Sequence, residues 1–509
     1  MPDGDFQVVK ALAAKLGVEA PESPHFTDRG NAALMGSLHG GELRYCWPTK
    51  DFYWWQGTRW VKDEHGKVEW WARDVSRKYY ELAAALGTKS AKLNGQAAIE
   101  MDPSELKHLG DAAIEATENA KRYTAWAKKS EASERMAAIV RWVRSEPGIS
   151  ILPKEMDADP WLLNCLNGTI DLRTGELREH RRDDLITKVC PVEYDPDARF
   201  LLWDQFLERI QPKREMRGFL QRAAGYSATG LTSEEKLFFC YGDTATGKST
   251  FLQAIRSTLG DYATTSDFDA FLQIDRSSGH KEHLARLAGK RMVVSIEVEE
   301  GQRMAEALIK HLTGGEEITA SFKYGSTFEF FPMFQLWLAA NHRPRVRADD
   351  NAIWRRILQA PFDEVIPERE RDPGVKATLI DTAVAGPAIL SWIVTGALDW
   401  QREGLSPPDV VLQATTAYRD SMHPLTEFLE DRCVLDGNNP GLRADNTELY
   451  KEYQKWAVEG GVRRPLGRKN FTQALKAQGF EQQMGTHGKS RFWAGLGILL
   501  ENRLLDTKG

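Results

Sequence analysis

Between residues 201 and 400 the chain alternates two textures. Short continuous apolar runs (Leu237-Phe238-Phe239-Cys240-Tyr241, Met292-Val293-Val294-Ser295-Ile296 and Phe334-Gln335-Leu336-Trp337-Leu338-Ala339-Ala340) read as strands buried on both faces. Between them apolar residues recur at helical spacing, as in Phe251, Leu252, Ile255 and Leu259. This alternation predicts an α/β domain around a mostly parallel sheet.

A period of two appears elsewhere. Ile318 to Phe322 alternates apolar and polar residues, Gly325 turns the chain, and Thr327-Phe328-Glu329-Phe330 returns, which predicts a hairpin projecting from the α/β core. Trp54-Trp55-Gln56-Gly57-Thr58-Arg59-Trp60 predicts a second hairpin with aromatic cross-strand pairs. Helical spacing runs from about Val75 to Val143, followed by a turn-rich stretch. Pro21-Glu22-Ser23-Pro24 breaks a short helical start, and Ser406-Pro407-Pro408 breaks a later helix. Residues 420–509 hold three short helical patterns and a Gly-rich finish. The expected domains are 1–200, 201–405 and 406–509, and 509 residues suit roughly three domains.

Composition narrows the class. At 42% hydrophobic and 28% charged the chain is globular, and no apolar run approaches a membrane span. The N-terminus carries acids and lacks a long apolar segment, so no signal peptide is expected. Five scattered cysteines without a C-x-x-C pair argue against zinc and a disulfide framework, and fit a reducing cytoplasm. A net charge of −6 argues against a chain that coats nucleic acid over its whole surface, but permits a local basic groove.

The sharpest chemical signal follows the first apolar run. Gly242-Asp243-Thr244-Ala245-Thr246-Gly247-Lys248-Ser249 fits G-x-x-x-x-G-K-[ST], and Thr250 completes the segment. Glycines let the backbone curl so that amide hydrogens point inward as an anion nest. A helix starting near Gly247 adds the positive end of its dipole. Lys248 can reach β- and γ-phosphates and Ser249 can hold Mg²⁺, so ATP with Mg²⁺ is the expected ligand. The second strand ends in carboxylates, placing Glu297 or Glu299 to hold the Mg²⁺ shell and polarise water. The third ends in Asn341, whose amide can sense the γ-phosphate or the lytic water. Arg356, with Arg355 as alternative, can serve as a finger supplied in trans, which requires an oligomer. Lys323, Lys310 and His311 sit on or near the projecting hairpin and could contact DNA phosphates in a channel.

Two features invite other readings. The aromatic cluster Trp47, Tyr53, Trp54, Trp55, Trp60, Trp70 and Trp71 could stack on bases, but core packing is the commoner fate. Asp157-Ala158-Asp159 could suggest a two-metal site, but its neighbours are turn formers and no third carboxylate accompanies it.

The ordered set GDTATGKST, RMVVSIEVEEG, KHLTGGEEITASFKY, FQLWLAANHRP and AIWRRILQAPF resembles the superfamily 3 helicases. The nearest branch is that of phage and plasmid primases and poxvirus-type primase-helicases. Upstream, FTDRGNAALMGSLHGGELRYC, FYWWQGTRW and DADPWLLNCLNGTIDLRTGELREH resemble the domain that precedes the helicase there. The resemblance implies an AAA+-type P-loop ATPase core and a homo-hexameric ring moving on single-stranded and forked DNA, usually 3′→5′. It also implies a separate primase or polymerase as partner, a mobile-element replicon and a bacterial host cytoplasm. Lys248, Ser249, Glu297, Glu299, Lys323, Asn341 and Arg356 match its motif positions. Thr246 stands where relatives usually carry Asn, and Ser321 where a basic residue is common. No catalytic acid set precedes the middle domain, so no primer synthesis by this chain alone is expected.

The C-terminal segment suggests a winged helix. Thr447 to Trp456 reads as one amphipathic helix; Arg463, Arg464, Arg468, Lys469 and Lys476 form a basic stretch, and Gly485 to Gly495 a wing. The expected function is an ATP-dependent replicative DNA helicase. An origin-binding initiation factor without processive unwinding is the alternative, and a small-molecule phosphotransferase the more distant one.

Overall fold

The computed structural model describes residues 26–272, 280–296, 302–321, 327–348, 350–422, 424–436, 439, 441–460, 462, 465–484 and 491–499. They divide between two compact units, one within Met1–Asp159 and Arg178–Val189, the other within Pro160–Leu177 and Cys190–Gly509. Among the described residues no helix is long and apolar enough to cross a membrane.

The first unit opens with α1 (Asp28–His39), whose N-cap Thr27 accepts a bond from the Gly30 amide. Strands β1 (Leu43–Cys46), β2 (Asp51–Trp55), β3 (Trp60–Lys62) and β4 (Ser150–Ile151) form a sheet in the order β3-β2-β1-β4. Trp55 lies opposite Trp60, the aromatic pair expected of this hairpin. The long helical stretch is three helices: α2 (Lys67–Ala97), α3 (Pro103–Ser130) and α4 (Ser133–Val143). Asp102 ends the first gap, its carboxylate accepting from the Ser104 and Glu105 amides, with Pro103 just inside the helix. Trp60 and Trp71 are buried, and Phe52 and Trp54 pack against the same core, whereas Trp47 and Trp70 stay about half exposed. Packing therefore accounts for Trp54, Trp60 and Trp71 of the aromatic cluster. Asp157 accepts from the Thr187 amide at 2.8 Å and the Lys188 ammonium at 2.7 Å, which commits its carboxylate to the turn.

The second unit begins with β5 (Leu162–Cys165), β6 (Gly168–Asp171) and β7 (Glu176–Arg178), then α5 (Leu201–Ile210) and α6 (Arg214–Thr229). Strand β8 (Leu237–Tyr241) leads into α7 (Lys248–Leu259), followed by β9 (Ala263–Thr265), α8 (His280–Ala285) and β10 (Met292–Ile296). Helix α9 (Glu306–Thr313), the hairpin β11 (Ile318–Ser321) and β12 (Thr327–Phe330), and β13 (Gln335–Ala340) come next. Then follow α10 (Asn351–Trp354), β14 (Ile357–Pro361), α11 (Pro373–Ile380), α12 (Gly386–Glu403) and α13 (Asp409–Ser421). The central sheet is all parallel in the order β14-β8-β13-β10-β9.

Alternation within each central strand feeds two cores. Phe238, Cys240, Val294, Trp337 and Ala339 pack on one face of the sheet; Leu237, Phe239, Val293, Leu336 and Leu338 pack on the other. This explains why the strands read as continuous apolar runs. Tyr241 pairs with Ala340 and Ile296 with Ala339, so the carboxyl ends of β8, β13 and β10 line up.

Residues beyond 420 build a smaller core from α14 (Pro424–Arg432), α15 (Asn446–Glu459) and α16 (Arg468–Ala477). Strands β15 (Cys433–Leu435), β16 (Arg443–Asp445), β17 (Gln482–Met484), β18 (Arg491–Ala494) and β19 (Leu496–Ile498) complete it. They pair antiparallel as β16-β18-β17 and β15-β19.

Candidate functional site

The turn from β8 into α7 is shaped by close approach and backbone sign. A Cβ on Gly242 would stand 2.0 Å from the Phe362 carbonyl oxygen, and one on Gly247 would stand 2.4 Å from Ile210 Cγ2. Gly247 has φ +85° and Ala245 φ +63°, both left-handed. For Ala245 that conformation is costly, and strained backbone of this kind concentrates at functional sites. The Ile366 amide donates to the Ala245 carbonyl at 2.9 Å and the Phe362 amide to Tyr241 at 2.7 Å, so the chain leaving β14 ties the loop down.

Lys248, first residue of α7, is only 6% exposed. Its ammonium donates to the carbonyls of Gly242 and Asp243, each at 2.7 Å, and to Thr246 Oγ1 at 3.0 Å. Burial lowers its proton affinity below the usual lysine range, against the pull of Cys240 and Asp243. Thr246 Oγ1 in turn donates to the Asp243 carbonyl. A buried cation thus sits inside a glycine-hinged loop at a helix N-terminus, an arrangement that can accept anionic oxygens. Ser249 and Thr250 occupy the first turn of α7.

Asn341 follows β13 directly, and its Nδ2 donates to Thr244 Oγ1 at 3.2 Å. The structure therefore brings the strand-tip amide to the glycine loop. Glu297 and Glu299, the expected acids beyond β10, lie outside the described residues, as do Lys323, Arg463 and Arg464. Among the described residues no cluster of three His, Cys, Asp or Glu could hold a metal ion.

The paired arginines separate in role. Arg356 is 7% exposed: its Nε donates to Thr313 Oγ1 at 3.0 Å, Nη1 to the Ala352 carbonyl at 2.8 Å, and Nη2 pairs with Glu235 at 3.1 Å. The Arg355 side chain is 66% exposed and meets Glu235 at 3.4 Å. Within its own chain Arg356 braces the turn, and the Arg355 side chain is the exposed one of the pair.

The Lys310 ammonium pairs with Asp350 at 2.7 Å, beside the arginine turn. His311, on the same helix, lies 3.5 Å from the Glu316 carboxylate. The hairpin β11–β12 forms in the expected register, Ile318 opposite Phe330. In the C-terminal part, Arg468 opens α16 and donates to Thr447 Oγ1 at 2.8 Å, while Lys469 is exposed.

Several residues of the site carry no local sequence signal. Glu235 joins both arginines from a distant turn. Arg343 lies 4.5 Å over the Tyr241 ring and donates to Gln359 at 3.2 Å. Asp350 could have been found: an acid before Asn351-Ala352-Ile353 is a helix N-cap signature, and its carboxylate does accept from the Ala352 and Ile353 amides.

Comparison with known proteins gives three family matches. Residues 32–212 match the profile "D5 N terminal like", residues 240–356 a family of unknown function (DUF5906), and residues 420–492 "Poxvirus D5 protein-like". Curated relatives include "Putative helicase L207/L206" of Acanthamoeba polyphaga mimivirus, 26% identical over 323 residues, covering 60% of this chain and 33% of the relative. "Putative helicase 022R" of Frog virus 3 is 25% identical over 396 residues, covering 61% of this chain and 40% of the relative. The chain thus spans well under half the length of these relatives. A solved structure of the NrS-1 C-terminal region matches with a TM-score of 0.41 at 11% identity, covering 96% of this chain and 99% of that one. The profile matches near both ends of the sequence, taken with the helicase-named viral relatives, make the chain similar to D5-type primase-helicases and support that family.

Proposed function

We propose that this chain is an ATP-hydrolysing DNA helicase that works as a homo-hexameric ring in replication of a phage, plasmid or other mobile genome, moving 3′→5′ on single-stranded DNA. Residues 201–405 form an AAA+-type P-loop core, residues 1–200 the pre-helicase domain and residues 406–509 a winged-helix-like DNA-binding domain. The observation that carries this reading is the junction of the strand-tip Asn341 with the glycine loop that buries Lys248.

The residues present fit a triphosphate with Mg²⁺. A buried ammonium is already held inside the loop, and a Cβ at Gly242 or Gly247 would collide with Phe362 or Ile210, against which the loop packs. Lys248 would exchange its carbonyl partners for phosphate oxygens, with the amides from Asp243 to Ser249 around them. The Ser249 hydroxyl and Glu297 would hold Mg²⁺, which supplies charge neutralisation when bound. Glu297 or Glu299 would polarise the attacking water and Asn341 would orient it. Arg355 would enter the neighbouring subunit's site, a contribution worth about 10³–10⁵ in rate. Lys323, His311, Arg463, Arg464, Arg468 and Lys469 would contact DNA phosphates.

The exposed Lys469 and Arg468 on α16 favour one second reading, an ATP-driven initiation factor that binds an origin without processive unwinding. Strand displacement on a forked substrate separates the two. Unwinding that needs ATP supports the helicase; ATP-dependent DNA binding without displacement overturns it.

A further inference from the structure

Helix α13 links the α/β core to the C-terminal part, and three of its side chains fasten separate pieces of the candidate site. Thr415 Oγ1 accepts the Gln359 amide of β14 at 2.9 Å. Gln359 in turn accepts from Arg343, two residues after Asn341. The fully buried Tyr418 donates its hydroxyl to the Pro344 carbonyl, and its ring meets Trp354 edge-on at 4.9 Å. Arg419 donates from Nε to the Ala348 carbonyl at 3.1 Å and from Nη2 to Asn351 Oδ1 at 2.6 Å. Asn351 opens α10, the short helix that delivers Arg355 and Arg356.

One helix therefore grips the segment after the strand-tip amide, the arginine-bearing turn and the edge strand. Its C-terminal end leads within a few residues to α14, the first helix of the C-terminal core. Arg345, on the segment held by Tyr418, also lies 3.8 Å from Asp431 of α14. A shift of the C-terminal part has a covalent route and an ionic one to the same five-residue stretch, Asn341 to Arg345.

We infer that Tyr418 and Arg419 are positioning residues through which DNA bound at the C-terminal part sets the placement of Asn341 and Arg355. Neither touches the glycine loop in the described contacts. Their effect belongs in turnover and its response to DNA, not in nucleotide affinity. The inference rests on the helicase reading for its DNA ligand and for its rate readout, and its test has a second readout free of catalysis.

The full chain and its Arg419→Gln, Arg419→Lys and Tyr418→Phe variants would be compared for ATPase kinetics with and without an oligothymidine strand. Amide hydrogen exchange over 341–356 would be followed in the same samples. In Arg419→Gln, DNA stimulation of kcat should fall about tenfold while KM for ATP stays within about twofold, with Arg419→Lys between it and wild type. The exchange change that DNA causes over 341–356 in wild type should vanish in Arg419→Gln and shrink in Tyr418→Phe. Equal stimulation and equal exchange responses in all four proteins would overturn the inference, as would a wild-type segment indifferent to DNA. Loss of thermal stability in step with kcat would reduce both residues to structural supports. A wild-type chain without ATPase activity would sink the helicase reading alone, leaving the exchange response to decide the role of α13.

Discussion

At the scale of single residues, charge placement decides what each cation can do. Lys248 is buried and multiply bonded inside its loop, so its removal should act on chemistry and also leave the Gly242 and Asp243 carbonyls without their donor. Lys248→Ala should lower ATP turnover by at least about 10²-fold, measured by phosphate release, with a stability loss of about 1–3 kcal/mol in a urea titration. The adjacent arginines give a sharper contrast. Arg355→Ala should remove most turnover and leave stability unchanged, because its side chain is exposed. Arg356→Ala should cost about 2 kcal/mol in a urea titration, because it strands the buried Thr313 hydroxyl and removes the bonds to the part-buried Ala352 carbonyl and to Glu235. A stable Arg356→Ala protein would refute the bracing role. The glycine loop, the strand-tip amide and the arginine pair were all legible from sequence, since each is a local pattern of residue types. Which arginine is buried was not legible: Thr313 and Glu235 decide it, and both are remote in the chain.

At the scale of elements, α10 is the weak link worth testing. It spans Asn351–Trp354, too short to hold itself, and depends on Asp350. Burial pushes the Asp350 carboxyl upward, but the hydrogen bond and charge of Lys310, with the Ile353 and Ala352 amides, outweigh it and hold its pKa below the usual range. A carboxylate depressed in the folded state stabilises above its unfolded pKa of about 3.9, and that contribution is lost as pH falls through the folded value. Stability should therefore decline on the acid side, and Asp350→Asn should flatten that part of a urea-midpoint series run from pH 7 to about pH 3. A variant whose midpoints still follow the wild-type acid slope would remove Asp350 from the account. The parallel strands were legible because both faces of β8, β10 and β13 are buried, leaving an uninterrupted apolar signal. The subdivision of the 75–143 stretch was weaker, since its breaks rest on capping residues such as Asp102 and not on a change of period.

At the scale of the molecule, the proposed role of the exposed Arg355 would leave one chain alone with an incomplete site. Light scattering with a non-hydrolysable ATP analogue should show a large assembly whose ATPase per subunit rises with protein concentration. Full activity in a species that stays monomeric would contradict the shared-site reading. The expected boundary at 200 also meets a complication. Strands β5–β7 precede it, yet Leu163, Cys165, Ile170 and Leu172 belong to the core of the second unit. The Tyr262 hydroxyl accepts the Asn164 amide at 3.0 Å, and Arg291 donates to the Leu162 carbonyl at 2.8 Å.

Those three strands are donated to one unit by a stretch of polypeptide whose flanks serve the other. No single scission can therefore divide the protein cleanly. A fragment beginning at residue 201 should expose an apolar wound and aggregate, whereas one beginning at 160 should remain monodisperse while carrying residues 178–189 as a passenger without its native companions.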